Sequence, residues 1–277
     1  MRREAVISIV LMFVYLVVIT FFFSLPFVWL VLSSLIPHNL TPEFKVPKQI
    51  SFSNYLRMTE PVGQVPPYVW IINSLIISSG SATIATILSV IAAYTLSRYR
   101  FKGQSIMLSS FVVFRLVPTI IIALPLMFIF RAWGWLNSIP ALILVLAALI
   151  LPFTLLMLDG YFRSLPIIYE EAALIDGCTR LGAFFRITLP LALPGIAAVW
   201  LLAFVFSWGE FIVPLMLIQD VTLYPASVGL YFFYGQHGLI DYGKLSAFAI
   251  IYSIPMIVIF AVMQKYFKRG VAGFVTR

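Results

Sequence analysis

Six long apolar stretches constrain this chain more than any other feature, because each can cross a lipid bilayer as a helix. Crossing takes about 20 predominantly apolar residues. Four stretches carry no Asp, Glu, Lys or Arg: those between Glu4 and Glu43, Glu60 and Arg98, Arg131 and Asp159, and Lys244 and Lys265. Two more carry one charge each, 105–130 with Arg115 and 191–218 with Glu210. The sequence is that of an integral membrane protein.

The length of these stretches favours helices over barrel strands, since barrel strands are about ten residues long and alternate strictly. The composition agrees, at 62% hydrophobic and 10% charged residues. We predict an all-α membrane protein with one transmembrane domain over residues 1–277. Its six transmembrane helices are predicted at approximately 5–36, 69–97, 105–131, 136–159, 191–218 and 245–267. The first stretch is too long for a cleavable signal, so we predict that it is retained.

The basic residues are distributed asymmetrically along this pattern of helices. Twelve of the 18 Lys and Arg residues flank one side and five flank the other, which is the positive-inside pattern. The net charge of +8 therefore sets the topology and needs no nucleic-acid partner. It predicts that both termini and the loop 164–190 are cytoplasmic in a multi-pass protein of the cell membrane.

Local signals shape the predicted helices and loops. Helix two is rich in Ser, Ala and Gly, which allow close helix packing in lipid, so we expect it inside a bundle. Pro118 and Pro125 predict a kink in helix three. Ser53 is the predicted N-cap of a short helix in the first outside loop.

The loop 164–190 carries a spaced motif. Glu171-Ala172-Ala173 is followed by three residues, Gly177, nine residues, and then Ile187-x-Leu189-Pro190. Helical spacing predicts a short surface helix at Pro166–Asp176. Gly177 permits a positive φ at the helix end, and a second short helix is predicted at Cys178–Arg186.

The motif suits docking into another subunit. Ala172 and Ala173 would present a low-profile face, and Glu170 and Glu171 can pair with a basic residue on a partner. The spacing matches the EAA loop of ABC-importer permeases, which contacts an ATPase. The residues that we assign to ATPase coupling are Glu170, Glu171, Ala172, Ala173, Asp176, Gly177, Ile187, Leu189 and Pro190.

Nearly the whole chain resembles the carbohydrate-type permeases of ABC importers, of the maltose-permease kind. The segments that carry the resemblance, besides the loop, are Asn73-Ser74-Leu75, Ala92–Gly103, Pro118 with Pro125-Leu126, Trp208-Gly209-Glu210-Phe211 and Gln264–Gly273. Gly209 departs from the Asn that this family carries there. The resemblance implies the type I ABC-importer permease fold.

It also implies the partners and the mechanism. In this family two permeases sit side by side, each docked on one subunit of an ATPase dimer, and an external binding protein delivers a sugar such as a di- or oligosaccharide. The cavity alternates its access as the ATPase closes. The chain has no Gly-x-x-x-x-Gly-Lys-Ser/Thr phosphate loop, so we predict that it is not an enzyme and binds no cofactor or metal, with ATP and Mg²⁺ bound by the partner.

Charged side chains inside membrane helices are candidates for function, because burying them in lipid is costly. Arg115 and Glu210 can pair with each other or line a polar cavity. The candidate residues of the substrate pathway are Asn73, Arg115, Trp208, Glu210 and Phe211.

Alternative functions remain open at this point. An ion- or proton-coupled carrier could use Arg115 and Glu210 as a relay, but such carriers usually show inverted repeats and several buried carboxylates. An ABC permease for a non-sugar solute is a second alternative. A membrane enzyme would need a cluster of reactive residues at one depth.

Overall fold

The computed structural model of the chain describes the backbone of residues 2–37, 49–62, 64–233 and 241–275, and side chains from residue 9 to residue 264 within those ranges. The described residues are helical, with an isolated bridge between Val62 and Val65 and no named strand. His38 and His237 lie outside them.

The described helices range from 4 to 34 residues in length. They are α1 (Arg2–Ser34), α2 (Ser53–Leu56), α3 (Pro67–Arg98), α4 (Gln104–Arg115), α5 (Thr119–Ala132), α6 (Ile139–Ser164), α7 (Ile168–Ile175), α8 (Arg180–Ala183), α9 (Leu189–Gly209), α10 (Ile212–Leu217), α11 (Ala226–Gly229) and α12 (Tyr242–Val275).

Five helical segments are long and apolar enough to cross a membrane: 9–34, 67–98, 139–164, 180–209 and 242–264. The pair α4 and α5 makes a sixth candidate if it counts as one span. These segments fall on the six predicted stretches, which confirms the all-α membrane fold class. The predicted end of the sixth helix near residue 267 is corrected, because α12 continues to Val275.

The prediction of one kinked third helix is wrong, because α4 and α5 are separate helices bent by 92° at a short break. Pro118 is the cause. It lacks an N–H and has a ψ of 134°, which is outside the helical range, and it disfavours a helical conformation at Val117. Pro125, by contrast, lies inside a continuous α5.

The fifth span also differs from its prediction at both ends. The predicted short helix after Cys178 is not separate, since α8 runs through a π-helical turn at Phe184–Thr188 into α9. The predicted end at residue 218 is wrong, because α9 ends at Gly209. Glu210 is extended, with ψ 129°, and α10 begins after it.

The described residues cluster into two compact units, 1–68 with 230–254, and 69–229 with 255–277. In the second unit, small residues line the contact of α3 with α6. The Ser81 hydroxyl donates to the carbonyl of Ile143 over 3.1 Å, and the hydroxyls of Ser89 and Thr154 lie 2.6 Å apart. This burial confirms that helix two packs inside a bundle.

Gly195 of α9 makes a similarly close contact with α6. A Cβ added at Gly195 would overlap ring atoms of Tyr161, with Cζ at 2.6 Å. The backbone of α9 therefore approaches the Tyr161 ring at a distance that only glycine allows.

The first unit is held together by polar contacts at the end of α1. The Asn54 amide donates to the carbonyls of Ser34 and Ile36 over 2.9 and 2.8 Å, and Arg57 pairs with Asp241 at 2.8 Å. Ser53 is not an N-cap, because it is the first residue of α2. Its own N–H donates to the Ser51 hydroxyl oxygen over 3.2 Å.

Candidate functional site

The short helix α7 forms the centre of the loop 164–190. It covers Ile168–Ile175, within the predicted Pro166–Asp176, and ends at Gly177 with φ +87°. The N–H of Gly177 donates to Leu174 over 3.1 Å and that of Cys178 to Ala173 over 2.9 Å. This pair of bonds is a Schellman motif, in which glycine supplies the left-handed residue. The structure confirms the positive φ predicted for Gly177 at the helix end.

Glu170 is buried, which corrects the prediction that it pairs with a partner's basic residue. Its carboxylate forms an ion pair with Arg98 at 2.7 Å, and the two side chains are 10% and 9% exposed. The Tyr94 hydroxyl donates to the same carboxylate over 3.2 Å. Since Arg98 lies at the end of α3, this pair fixes α7 to that helix.

Arg98 reaches a third element as well. Its guanidinium donates to the carbonyl of Phe162 over 3.1 Å and to that of Leu165 over 3.4 Å, at the end of α6. One buried arginine therefore joins the ends of α3 and α6 to α7. We call these residues, Arg98 and Glu170 with Tyr94, the anchor.

The outward face of α7 is apolar and carries one exposed carboxylate. Ile168, Tyr169, Ala172 and Ile175 are exposed, Ile175 by 86%, and Glu171 is exposed beside them. Ala173 is buried, so only one of the two alanines predicted to form a low-profile face lies on it.

The remaining assigned residues flank this face. Asp176 ends α7 and is exposed, and Ile187 lies in the π-helical turn. Leu189 and Pro190 form the first turn of α9, directly after the π-helical turn. All nine residues therefore lie on one continuous segment between α6 and the body of α9.

A second group of predicted residues surrounds a cavity within the same unit. Arg115 and Glu210 both line this cavity of about 240 Å³, together with Phe114, Phe153 and Phe206 among others. The ion pairs of the described residues include none between Arg115 and Glu210. Of the two possibilities, the structure therefore shows a shared cavity and no direct pair.

Asn73, Trp208 and Phe211 do not line this cavity. Asn73 is buried, and its amide donates to the carbonyls of Thr222 over 2.8 Å and Tyr224 over 3.0 Å. Trp208 is buried and stacks on Phe204 with ring centroids 5.4 Å apart. Phe211 precedes α10. The assignment of Asn73 to the substrate pathway is corrected, because its donors hold the chain after α10.

Sequence reasoning missed the anchor arginine and two of the phenylalanines that line the cavity, Phe153 and Phe206. Arg98 was predicted only as one of the charges that set the topology, although a basic residue at a helix exit and an acid in the loop 164–190 are complementary. Phe153 and Phe206 are single aromatic residues among 25 phenylalanines, and no spacing singles them out.

Comparison with known proteins identifies the family. Residues 85–273 match the model of the family described as binding-protein-dependent transport system inner membrane component. The chain is 31% identical to a sulfoquinovosyl glycerol transport system permease protein of Agrobacterium fabrum, over 90% of this chain and 87% of that protein. It is 30% identical to a trehalose/maltose transport system permease protein of Thermococcus litoralis, over 98% of each chain.

A third relative and a solved structure agree. A diacetylchitobiose uptake system permease protein of Streptomyces coelicolor is 31% identical over 100% of this chain and 89% of its own length. The crystal structure of a bacterial ABC transporter for import of the acidic polysaccharide alginate matches the fold with a TM-score of 0.80. That match has 21% identity and covers 96% of this chain and 98% of that one. The chain belongs to the family of binding-protein-dependent transport system inner membrane components.

Proposed function

We propose that this chain is one of two permease subunits of an ATP-driven importer and that its solute is a carbohydrate. The observation that carries the proposal is the exposed apolar face of α7, which the anchor fixes rigidly to two membrane helices. The buried ion pair lies behind this face and leaves its apolar side chains exposed to a partner.

The face of α7 is suited to a groove on an ATPase subunit. Exposed Ile168, Tyr169 and Ile175 supply apolar contact area, Ala172 allows close approach, and Glu171 can meet a basic side chain. The ATPase dimer would bind ATP and Mg²⁺, and this chain would bind neither. A second permease and an external binding protein complete the assembly.

The proposed orientation follows from charge. The loop 164–190 carries Arg180 and Arg186, Arg163 lies directly before it, and the exit of α3 carries Arg98 and Arg100. Positive charge near the ends of spans favours the cytoplasmic side. We therefore place α7 and both termini in the cytoplasm, where ATP is available.

The anchor gives a route for mechanical coupling. When the ATPase subunits close, α7 would move with the groove that holds it. The Arg98–Glu170 pair would carry that displacement to the ends of α3 and α6, because a buried ion pair resists separation. The helices around the cavity would then switch access from one side of the membrane to the other.

The solute class rests on the relatives. The names of matched relatives include trehalose/maltose, diacetylchitobiose and galactooligosaccharides. Their identities of 29–31% extend over most of the chain. We propose a di- or oligosaccharide as the solute.

Ile175→Glu tests the docking face. We expect the variant to lose most of its co-purification with the ATPase, because a carboxylate would replace an 86% exposed isoleucine at an apolar contact. Leu56→Glu is the matched control, since Leu56 is 75% exposed outside the loop 164–190. Pull-down of the ATPase by each tagged, membrane-inserted permease provides the measurement. Equal recovery with Ile175→Glu and with the unaltered chain would contradict the docking role.

A further inference from the structure

The cavity at the break between α4 and α5 has a composition that packing does not explain. It places a guanidinium, a carboxylate and three phenylalanine rings around about 240 Å³, between segments that otherwise carry almost no charge. A charge at such a place costs about 2.5–3.5 kcal/mol or more on insertion scales. Two charged residues at one cavity therefore call for a function.

Arg115 is held by aromatic rings. Its guanidinium carbon lies 4.1 Å from the centre of the Phe153 ring and 5.2 Å from that of Phe206, at cation–π distances. The two rings pack edge to face with centroids 5.0 Å apart. Among the contacts of the described side chains, none uses a guanidinium N–H of Arg115 in a hydrogen bond. Its donors are therefore positioned and still available to a ligand.

Glu210 is held by the backbone. One carboxylate oxygen, Oε1, accepts the N–H groups of Ile212 over 3.0 Å and Val213 over 3.2 Å. The Ser227 hydroxyl donates to the Glu210 carbonyl over 2.7 Å. The second carboxylate oxygen, Oε2, has no hydrogen-bond partner among the described contacts. A fixed acceptor thus lies on the cavity that Arg115 supplies with donors.

The presence of both Arg115 and Glu210 at the cavity restricts the chemistry of the ligand. An arginine only donates and an ionised carboxylate only accepts, so a group that both donates and accepts satisfies the two together. Hydroxyl groups do this. An anion would be attracted by Arg115 and repelled by Glu210. A cation would be attracted by Glu210 and repelled by Arg115. The Phe206 ring is 46% exposed and offers a flat apolar surface.

The volume of the cavity restricts the ligand further. Sites for drug-sized ligands measure about 300–1,000 Å³, so a cavity of about 240 Å³ suits a single ring better than an oligosaccharide. We infer that this cavity is a subsite for one ring of the transported sugar, with Phe206 against its apolar face and Arg115 and Glu210 on its hydroxyls. The inference rests on the proposed function, which supplies the solute class.

A cysteine-protection experiment tests the subsite in the whole complex. The only cysteine, Cys178, is replaced by serine, and Phe206→Cys is introduced. The complex is reconstituted with the partner permease, ATPase and binding protein, and labelled with a small anionic methanethiosulfonate. We expect labelling of Phe206→Cys to slow about threefold or more in the presence of whichever of maltose, trehalose or diacetylchitobiose the complex accumulates. Leu56→Cys, at an exposed residue that does not line the cavity, should label at one rate with and without sugar.

A second variant covers the case in which Phe206→Cys does not assemble. Arg115→Lys keeps the charge and loses the planar fork of donors. We expect its KM for the sugar to rise about tenfold. Arg131→Lys, the matched change outside the cavity, should leave both the KM and the ATP hydrolysis stimulated by the sugar-free binding protein unchanged.

The outcomes separate the subsite from the proposed function. Accumulation of a sugar with no slowing of labelling at Phe206→Cys overturns the subsite and leaves the permease function in place. If Phe206→Cys does not assemble, an unchanged KM in Arg115→Lys overturns the subsite and likewise leaves the permease function in place. If the unaltered complex accumulates none of the three sugars, the proposed solute class fails, and the subsite fails with it.

Discussion

Arg98→Met is expected to abolish most ATP-driven uptake while the chain still inserts into the membrane. The substitution leaves the Glu170 carboxylate buried without its cation, and removing one partner of a buried pair costs about 3–5 kcal/mol. It also removes donors from the carbonyls of Phe162 and Leu165. We expect α7 to detach from the ends of α3 and α6. Uptake and ATP hydrolysis by the reconstituted complex provide the two measurements.

Arg100→Met is the matched control for this prediction. Arg100 lies two residues further along, is exposed, and contributes the same charge to topology, so uptake should be nearly unchanged. A double variant in which Arg98 and Glu170 are both replaced by Met adds a second check. Because it leaves no unpaired buried charge, the complex should regain part of the thermal stability that Arg98→Met loses. Normal uptake in Arg98→Met would show that the anchor does not transmit movement.

Gly177→Pro is expected to separate ATP hydrolysis from transport. Proline fixes φ near −65° and has no N–H. Gly177 needs a φ of +87° and donates to Leu174 over 3.1 Å. The turn after α7 must therefore open, and the face that carries Ile175 changes direction. We expect uptake to fall by about tenfold or more, with hydrolysis retained or raised.

Gly134→Pro provides a control with the same backbone damage. Gly134 has φ +69° and donates to the carbonyl of Arg131 over 3.2 Å, the same three-residue turn at a different loop. Its uptake per inserted complex should stay within about twofold of that of the unaltered chain. Equal losses in Gly134→Pro and Gly177→Pro would mean that a broken turn, wherever it lies, is enough to impair transport, and would remove the argument for coupling through α7.

The features that sequence predicted well depend on local pattern. Span length follows from hydropathy over about 20 residues, and the left-handed Gly177 follows from helix-end chemistry. Both signals lie within a short window of the chain. Pro118 likewise marked the position of an irregularity, but the sequence predicted a kink where the structure has a 92° break between two helices.

The features that sequence missed depend on contacts between distant residues. Glu170 is 72 positions from Arg98, and Asn73 is 149 positions from Thr222. A polar residue in a membrane helix can serve the solute or the fold, and only the position of its partner decides which. Asn73 proved to hold the fold, whereas Arg115 and Glu210 face a cavity.

The most direct measurement of the central claim is solute accumulation in proteoliposomes that hold this chain, its partner permease, the ATPase and the binding protein. We predict that radiolabelled maltose, trehalose or diacetylchitobiose accumulates when ATP and Mg²⁺ are supplied on the ATPase side, and that an imposed proton gradient alone gives none. Accumulation driven by the proton gradient without the ATPase would contradict the account and favour a secondary carrier.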